Sequence, residues 1–387
     1  MVEENNREKK MKIGFDGKRA VQNFTGLGNY SRYVIEALCR FAPDNDYCLY
    51  APARRNSAVF DQMMQKCSRM VDIYPEGIWK MFRSLWRVFG VTFRLQEDKV
   101  DIFHGLSNEL PLNILRDKKI KKVVTLHDVI FLRYPSYYRW IDRKIYAYKF
   151  RKSCEHADVV IAISECTKRD IISFFHIPEG KIQVVYQGCD SSFTHMSSVR
   201  KKEEVKKRYA LPDRYILNVG SVERRKNVLL AVKALKALPM DVHLVIVGKH
   251  TPYANEVEAY AKTHGLESRV HLMTKVSFED LPTVYQLSEV FVYPSRFEGF
   301  GIPILEALHS GVPVVAATGS CLEEAGGPDS LYVHPDDEEG MIKALLRTLD
   351  SRYREHMITN GKKHAALFSE EKQARQLNEL YFRLIRR

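Results

Sequence analysis

No run in this 387-residue chain approaches the ~18–20 consecutive apolar residues that a bilayer-crossing helix needs. Its seven cysteines, at 39, 48, 67, 154, 166, 189 and 321, include no Cys-x-x-Cys pair. Their odd number and scatter argue against a disulfide framework or a zinc site, and for a reducing cytoplasm. No repeat or low-complexity tract is present. Nor is there an apolar leader: residues 1–10 are polar and charged, and are expected to be a disordered tail or an extension ahead of Met11.

What is present is ordinary for a soluble enzyme: 45% hydrophobic and 28% charged residues. The length suggests two domains. The net charge of +12 calls for an anionic partner: nucleic acid, an anionic membrane surface or a phosphate-bearing substrate. Two first-half stretches interleave aromatics with cations at near-helical spacing, residues 79–89 and 137–149. They suit a membrane interface, or equally core helices with one solvated basic face. Nucleic acid would require a contiguous basic stripe, whereas the cations here largely serve helices and one loop, so no nucleic-acid partner is expected.

The chain divides into two α/β halves. Buried-strand candidates in the first are 12–15, 47–51, 70–74, 102–104, 123–127, 159–164 and 182–185. In the second they are 215–219, 243–247, 270–272, 290–293 and 312–316. Helical stretches between them (228–238, 256–264 and 281–287 in the second half) favour parallel strands with crossover helices. Each half is therefore expected to be a doubly wound, Rossmann-like unit with ligands beyond the strand C-termini. The expected domains are 11–195 and 196–365, with 366–387 as a final helix.

The most specific feature is Arg296-Phe297-Glu298-Gly299-Phe300-Gly301-Ile302-Pro303-Ile304-Leu305-Glu306-Ala307, in which two acids bracket a glycine-rich turn. Pro303 sits where a helix would start, and Gly311 with Pro313 marks its stop. Strand, loop and helix N-terminus suit an anionic or polyhydroxyl ligand. The same two acids could instead be a dipole complement and an exposed loop acid. A second loop, Gly220-Ser221-Val222-Glu223-Arg224-Arg225-Lys226-Asn227, joins a strand to a helix with three cations, as a diphosphate site does.

The first half offers weaker candidates. Asp16 closes the first strand, and Gly26 and Gly28 open the first helix, allowing close backbone approach or simply packing. His104 and His127 each end a strand. Ser164 follows another, where a helix cap would explain it equally well.

The Glu-x7-Glu element, with Gly-Phe-Gly-x-Pro inside it and Ala-x-x-x-Gly-x-Pro-Val-Val-Ala after it, resembles the signature of retaining nucleotide-sugar glycosyltransferases of the GT-B fold, family-4 type (group 1). The resemblance implies two Rossmann-like domains facing an interdomain cleft, with the C-terminal helix crossing back onto the first. It assigns Glu298 to the transferred sugar, Glu306 to the nucleotide ribose and the backbone of Gly299, Phe300, Gly301 and Ile302 to sugar hydroxyls and phosphate. Lys226 and Arg225 would neutralise the diphosphate, with Arg224 as the alternate. The family's usual arginine after the strand glycine is replaced here by Ser221. Lys275 and Val276 would lie against the base, and Gly26 and Gly28 would face the donor phosphate. His127 would contact the sugar near the reacting carbon, with Asp16, His104 and Ser164 on the acceptor side.

The first domain looks most like bacterial mannosyltransferases of surface polysaccharide and lipopolysaccharide assembly. That implies a cytoplasmic hexosyltransferase, peripheral at the membrane, with GDP-mannose favoured over UDP-sugars and a lipid-linked glycan as acceptor. No cofactor is expected, and no Asp-x-Asp motif lies near these loops, so divalent metal should be dispensable. Alternatives are a UDP-sugar enzyme with a soluble acceptor and a non-catalytic nucleotide-sugar binder.

Overall fold

A computed structural model describes residues 10–55 and 57–386. Residues 1–9 of the expected N-terminal tail lie outside the described residues; Lys10 pairs with Asp46 at 2.7 Å. The chain forms two compact units. One ends at Gln187 and takes the chain up again at Glu370, and the other is Gly188–Ser369.

The first unit holds seven parallel strands: β1 (Lys12–Asp16), β2 (Asp46–Tyr50), β3 (Met70–Ile73), β4 (Ile102–Gly105), β5 (Lys121–Leu126), β6 (Val159–Ala162) and β7 (Ile182–Val184). Their spatial order is β3-β2-β1-β4-β5-β6-β7. The second unit has β8 (Arg214–Val219), β9 (Val242–Val247), β10 (Val270–Met273), β11 (Val290–Tyr293), β12 (Val314–Ala317) and β13 (Leu331–Val333), ordered β10-β9-β8-β11-β12-β13. The continuous apolar runs of these strands fit sheets covered by helices on both faces. Each sheet reverses its winding once, at β1/β4 and at β8/β11. Loops after those strands part to opposite faces and leave a crevice where ligands of doubly wound folds bind.

The unit boundary falls at 187/188 rather than near residue 195, for a packing reason. Phe193 is buried against Tyr285 and Phe278, with centroids at 5.6 and 6.0 Å, and Ser197 bonds Gln286 and Thr283. Residues 188–195, assigned to the first domain from the sequence, are thus second-unit structure. At the other end Phe368 packs on Phe300 at 5.5 Å, which holds the chain in the second unit beyond residue 366.

The final helix, Glu370–Arg386, lies in the first unit against the helix Gly26–Phe41. Its anchor is polar. His104, fully buried inside β4, places Nδ1 at 2.6 Å from the Tyr381 hydroxyl and Nε2 at 2.8 Å from Thr125 Oγ1. Both ring nitrogens are therefore used internally, and His104 is a structural residue rather than an acceptor contact. Burial pushes its pKa down to about 3, so the folded state binds fewer protons than the unfolded one between there and the ordinary 6.5. Its contribution is complete above pH 6.5 and is lost as pH falls toward 3. Replacing His104 with alanine should remove about 2–4 kcal/mol, because a cavity forms and two buried hydroxyls lose their partner. An unchanged urea midpoint for His104→Ala would refute this anchoring role.

The first basic aromatic stretch departs from a regular helix, whereas most of the second is helical. Residues 77–97 break into a 3₁₀ turn (Gly77–Lys80), a short helix (Arg83–Leu85), a π-turn (Trp86–Gly90) and the helix Val91–Glu97. The second stretch belongs to the helix Trp140–His156, whose only fully buried residues are Ser153 and Cys154. Met81, Phe93 and Trp140 are 80%, 65% and 68% exposed. Many apolar side chains of both stretches thus face outward, while Trp86 is buried in the first unit's core and Trp79 packs against it.

Candidate functional site

Reversal of winding between β8 and β11 brings together two loops about 70 residues apart in sequence. The β8 loop runs through Arg224–Lys226 to Asn227, whose left-handed backbone (φ 54°) starts the helix Val228–Ala234. The side-chain amide of Asn227 donates to the carbonyls of Pro294 and Pro335 at 3.2 and 2.7 Å. Arg296 N–H donates to the Arg225 carbonyl at 2.9 Å, closing the pair of loops. Gly301, at φ 112°, turns the β11 loop into the helix Ile302–His309, a conformation that suits glycine. The helix begins one residue earlier than expected, with Pro303 still in its first turn.

At the centre lies Glu298. Its Oε1 is 2.5 Å from Lys226 Nζ and 2.9 Å from Arg225 Nη1, and it accepts from Ser295 Oγ at 2.6 Å and Tyr293 Oη at 3.2 Å. All three charged side chains are at most 20% exposed. Burial alone would raise this carboxyl's pKa, but Lys226 and then Arg225 hold it at about 2, so it is ionised at neutral pH. Arg225 also donates to the Phe297 carbonyl at 2.6 Å. Arg224 instead pairs with Glu256 at 2.6 Å over Tyr253, engaged away from the acid. Ser221, in place of the expected arginine, donates to Glu223 at 2.7 Å.

Glu306 sits on the helix Ile302–His309, partly exposed, and accepts from the Tyr285 hydroxyl at 2.8 Å. Desolvation pushes its carboxyl up to about 7. The Tyr285 hydrogen bond opposes the rise and Asp190 adds to it. The two acids therefore differ in kind, one a permanent anion among cations and the other a carboxyl poised to ionise near neutrality. Lys275, exposed, and Val276, half-buried, follow the edge strand β10 on the same C-terminal rim, two strands from β8.

First-unit candidates gather at the β1/β4 reversal and beside it. Asp16 is buried, and Arg87 Nε reaches its two carboxylate oxygens at 3.1 and 3.0 Å. Arg87 Nη1 also meets Glu109 at 2.9 Å, and Lys149 meets Glu109 at 3.3 Å. Asp16 is therefore a member of an ion network, not a lone acceptor contact. In the sequence Arg87 is one cation of the 79–89 stretch and Glu109 belongs to no motif. His127, one residue beyond β5, is buried against Tyr30 at 4.4 Å, and its Nε2 donates to the Leu106 carbonyl at 2.9 Å. Burial lowers its pKa to about 4, so it is neutral at pH 7.

Two of the remaining candidates, Gly28 and Ser164, have local structural explanations, and Gly26 has none. A Cβ on Gly28 would come within 1.8 Å of the Asn23 carbonyl oxygen, so helix packing accounts for that glycine. Gly26 opens the same helix, exposed and with open space around it. Ser164 Oγ accepts from Thr167 N–H at 3.0 Å and caps the helix Glu165–Phe175. The hydroxyls of Tyr285 and Tyr293 went unnoticed in the sequence, because both residues pattern as apolar core.

Comparison with known proteins follows the same two units. The family described as "Glycosyl transferases group 1" matches residues 199–364, and "Glycosyltransferase Family 4" matches residues 24–193. The O-antigen chain mannosyltransferase B of Escherichia coli is 30% identical over 283 residues, 72% of this chain and 73% of that protein. The O-antigen chain mannosyltransferase RfbU of Salmonella typhimurium is 29% identical over 224 residues, 58% of this chain and 60% of that protein. Among solved structures, the sucrose-phosphate synthase of Thermosynechococcus elongatus superposes with TM-score 0.78 at 20% identity, over 97% of this chain and 99% of that one. The Anabaena Alr3699/HepE structure in complex with UDP and glucose gives TM-score 0.75 at 18% identity, over 96% and 99%. Those likenesses concern the fold, two Rossmann-like units of GT-B type.

Proposed function

The chain belongs to the group 1 glycosyltransferases, with a family-4 first half, and from that premise we propose a retaining hexosyltransferase that moves mannose from GDP-mannose to a lipid-linked glycan in surface polysaccharide assembly. The observation that carries this reading is the meeting of Arg225, Lys226 and Glu298 at the β8/β11 reversal, on the unit that also bears Glu306. Two cations at a helix start suit a diphosphate leaving group, whose developing charge they stabilise electrostatically. Glu298 can accept hydrogen bonds from sugar hydroxyls, and Glu306, once ionised, from ribose hydroxyls. Lys275 and Val276 are kept for the base, and His127, neutral at pH 7, for a sugar hydroxyl. Mannose as the transferred sugar rests on the relatives' names.

No protein nucleophile is assigned. The proposed step breaks the anomeric C–O bond to phosphate and forms the bond to the acceptor oxygen on the same face. The acceptor's proton passes to the departing diphosphate oxygen. Metal is proposed to be dispensable, so EDTA should leave transfer intact. The outward apolar and aromatic side chains among 78–93 and 137–148, interleaved with Lys80, Arg83, Arg139 and Lys144, support peripheral contact with an anionic membrane. No helix among the described residues is long and apolar enough to cross one.

The test is thermal-shift screening of nucleotide sugars, since a ligand stabilises only through its affinity for the native state. GDP-mannose should raise the melting temperature most. Donor hydrolysis without acceptor should accompany it, and the product should keep the donor's anomeric configuration. A protein that neither responds to any nucleotide sugar nor hydrolyses one would overturn the reading. A response to UDP-sugars alone would reassign the donor.

A further inference from the structure

The geometry points to Tyr293 as a positioning residue of this site, its hydroxyl joining the diphosphate cation Lys226 to the sugar-side acid Glu298. The inference rests on the proposed function above. Tyr293 is the last residue of β11, 1% exposed, and its ring stacks on Phe291 at 5.6 Å. Its hydroxyl accepts from Lys226 Nζ at 2.6 Å and donates to Glu298 Oε1 at 3.2 Å, while the ammonium lies 5.0 Å from the ring centroid. One phenol thus spends its only proton on the acid and a lone pair on the cation. Burial raises its own pKa well above the ordinary value, so that proton is retained at neutral pH.

Tyr285 and Tyr50 each donate to one carboxylate, of Glu306 and Asp98, whereas two other buried tyrosines bond backbone carbonyls. Tyr215 donates to the Val284 carbonyl at 2.6 Å and Tyr47 to the Ala42 carbonyl at 2.7 Å, both ordinary ways to satisfy a buried hydroxyl. Tyr293 addresses two charged side chains from different loops. Lys226 and Glu298 also touch directly at 2.5 Å, and Ser295 and Arg225 hold the acid, so the phenol is, among the described residues, the one group that bonds both ends of that pair from a rigid strand. The stack and the strand fix the phenol, and the phenol adds a rigid tie to both.

The test is a kinetic double-mutant cycle. Tyr293→Phe keeps ring, stack and cation–π contact and removes only the oxygen. It should lower kcat/KM about 10- to 100-fold, the range for losing a hydrogen bond to a charged group. On a Glu298→Gln background the same change should cost less than about threefold, because Tyr293 acts largely through that acid. Tyr215→Phe, which loses a comparable buried hydrogen bond to a carbonyl, should show a similar melting shift with parent kinetics. Multiplicative losses in the cycle, or parent kinetics for Tyr293→Phe beside a crippled Glu298→Gln, would overturn the inference alone. If Glu298→Gln and Lys226→Ala were both kinetically silent, the proposed function would fail instead.

Discussion

Glu298→Gln should lower kcat by about 10²–10³-fold while nucleoside diphosphate binds at least as tightly as to the parent. The first half of that expectation follows from losing a pre-placed charged group at the reacting sugar, where single electrostatic contacts carry effects of about this size. The second follows from the unliganded geometry. Glu298 Oε1 is the counter-ion of both Lys226 and Arg225, at 2.5 and 2.9 Å. A diphosphate entering this site competes with that carboxylate for the same cations. Removing the charge while keeping the shape leaves two partly buried cations short of an anion, and a phosphate then meets less resistance. The expected signature is a fall in kcat with an unchanged or lower donor KM, the pattern of an interaction made in the transition state rather than in the ground state. Steady-state kinetics and calorimetric titration with the nucleoside diphosphate read the two halves separately. Parent turnover would remove Glu298 from the chemistry. A large loss of diphosphate affinity would show that its charge holds the donor rather than opposing it.

The elements of this site were legible one by one, and their pairing was not. Proline and glycine punctuation placed the helix after Gly301 to within a residue, and the apolar runs placed β8 and β11. Nothing local says that β8 and β11 are neighbours; that follows from the winding of six strands. Hence Lys226 and Glu298 appeared as two motifs, when physically they are one ion cluster. Tyr293 and Tyr285 were hidden for a related reason. In a buried parallel strand or a core helix a tyrosine patterns like phenylalanine, and only the partner of its hydroxyl reveals a role.

The two histidines separate on a finer point. His104 lies within β4, paired to its neighbours on both sides, and the Tyr381 hydroxyl reaches it from the far end of the chain. His127 lies one residue beyond β5, at the strand's C-terminal rim. Two residues of register, counted from the strand end, divide a core group from a rim group, and strand boundaries read from sequence carry errors of that size. The aromatic stretches left a membrane-facing and an inward reading open in the sequence, and Trp140 and Met81 are among the most exposed apolar side chains described.

Lys226→Ala should raise donor KM by about 30- to 100-fold with a much smaller change in kcat. Lys226 is held on three sides, by the Glu298 carboxylate, the Tyr293 hydroxyl and the Tyr293 ring, and is only 14% exposed. A cation so confined has lost most of its rotamer freedom before the donor arrives, so its charge reaches the diphosphate without further ordering. Screening by salt is weak at such depth, and the lost interaction should be large compared with that of a surface lysine. Arg225 remains, keeping its bonds to Glu298 and the Phe297 carbonyl, so the acid stays paired and ionised near neutrality. That is why kcat should suffer less than KM. Stability should respond in a defined pH window. The depressed pKa of Glu298 stabilises the fold above its ordinary 4.5, and that contribution is lost as pH falls toward about 2. Lys226 supplies the largest pull on that pKa, so the alanine variant should show a shallower loss of stability between those values. Lys226→Arg should recover part of the donor affinity, since the charge returns but the compact ammonium that fits the tyrosine hydroxyl does not. Parent-like donor KM in Lys226→Ala would mean that the diphosphate binds elsewhere on the second unit.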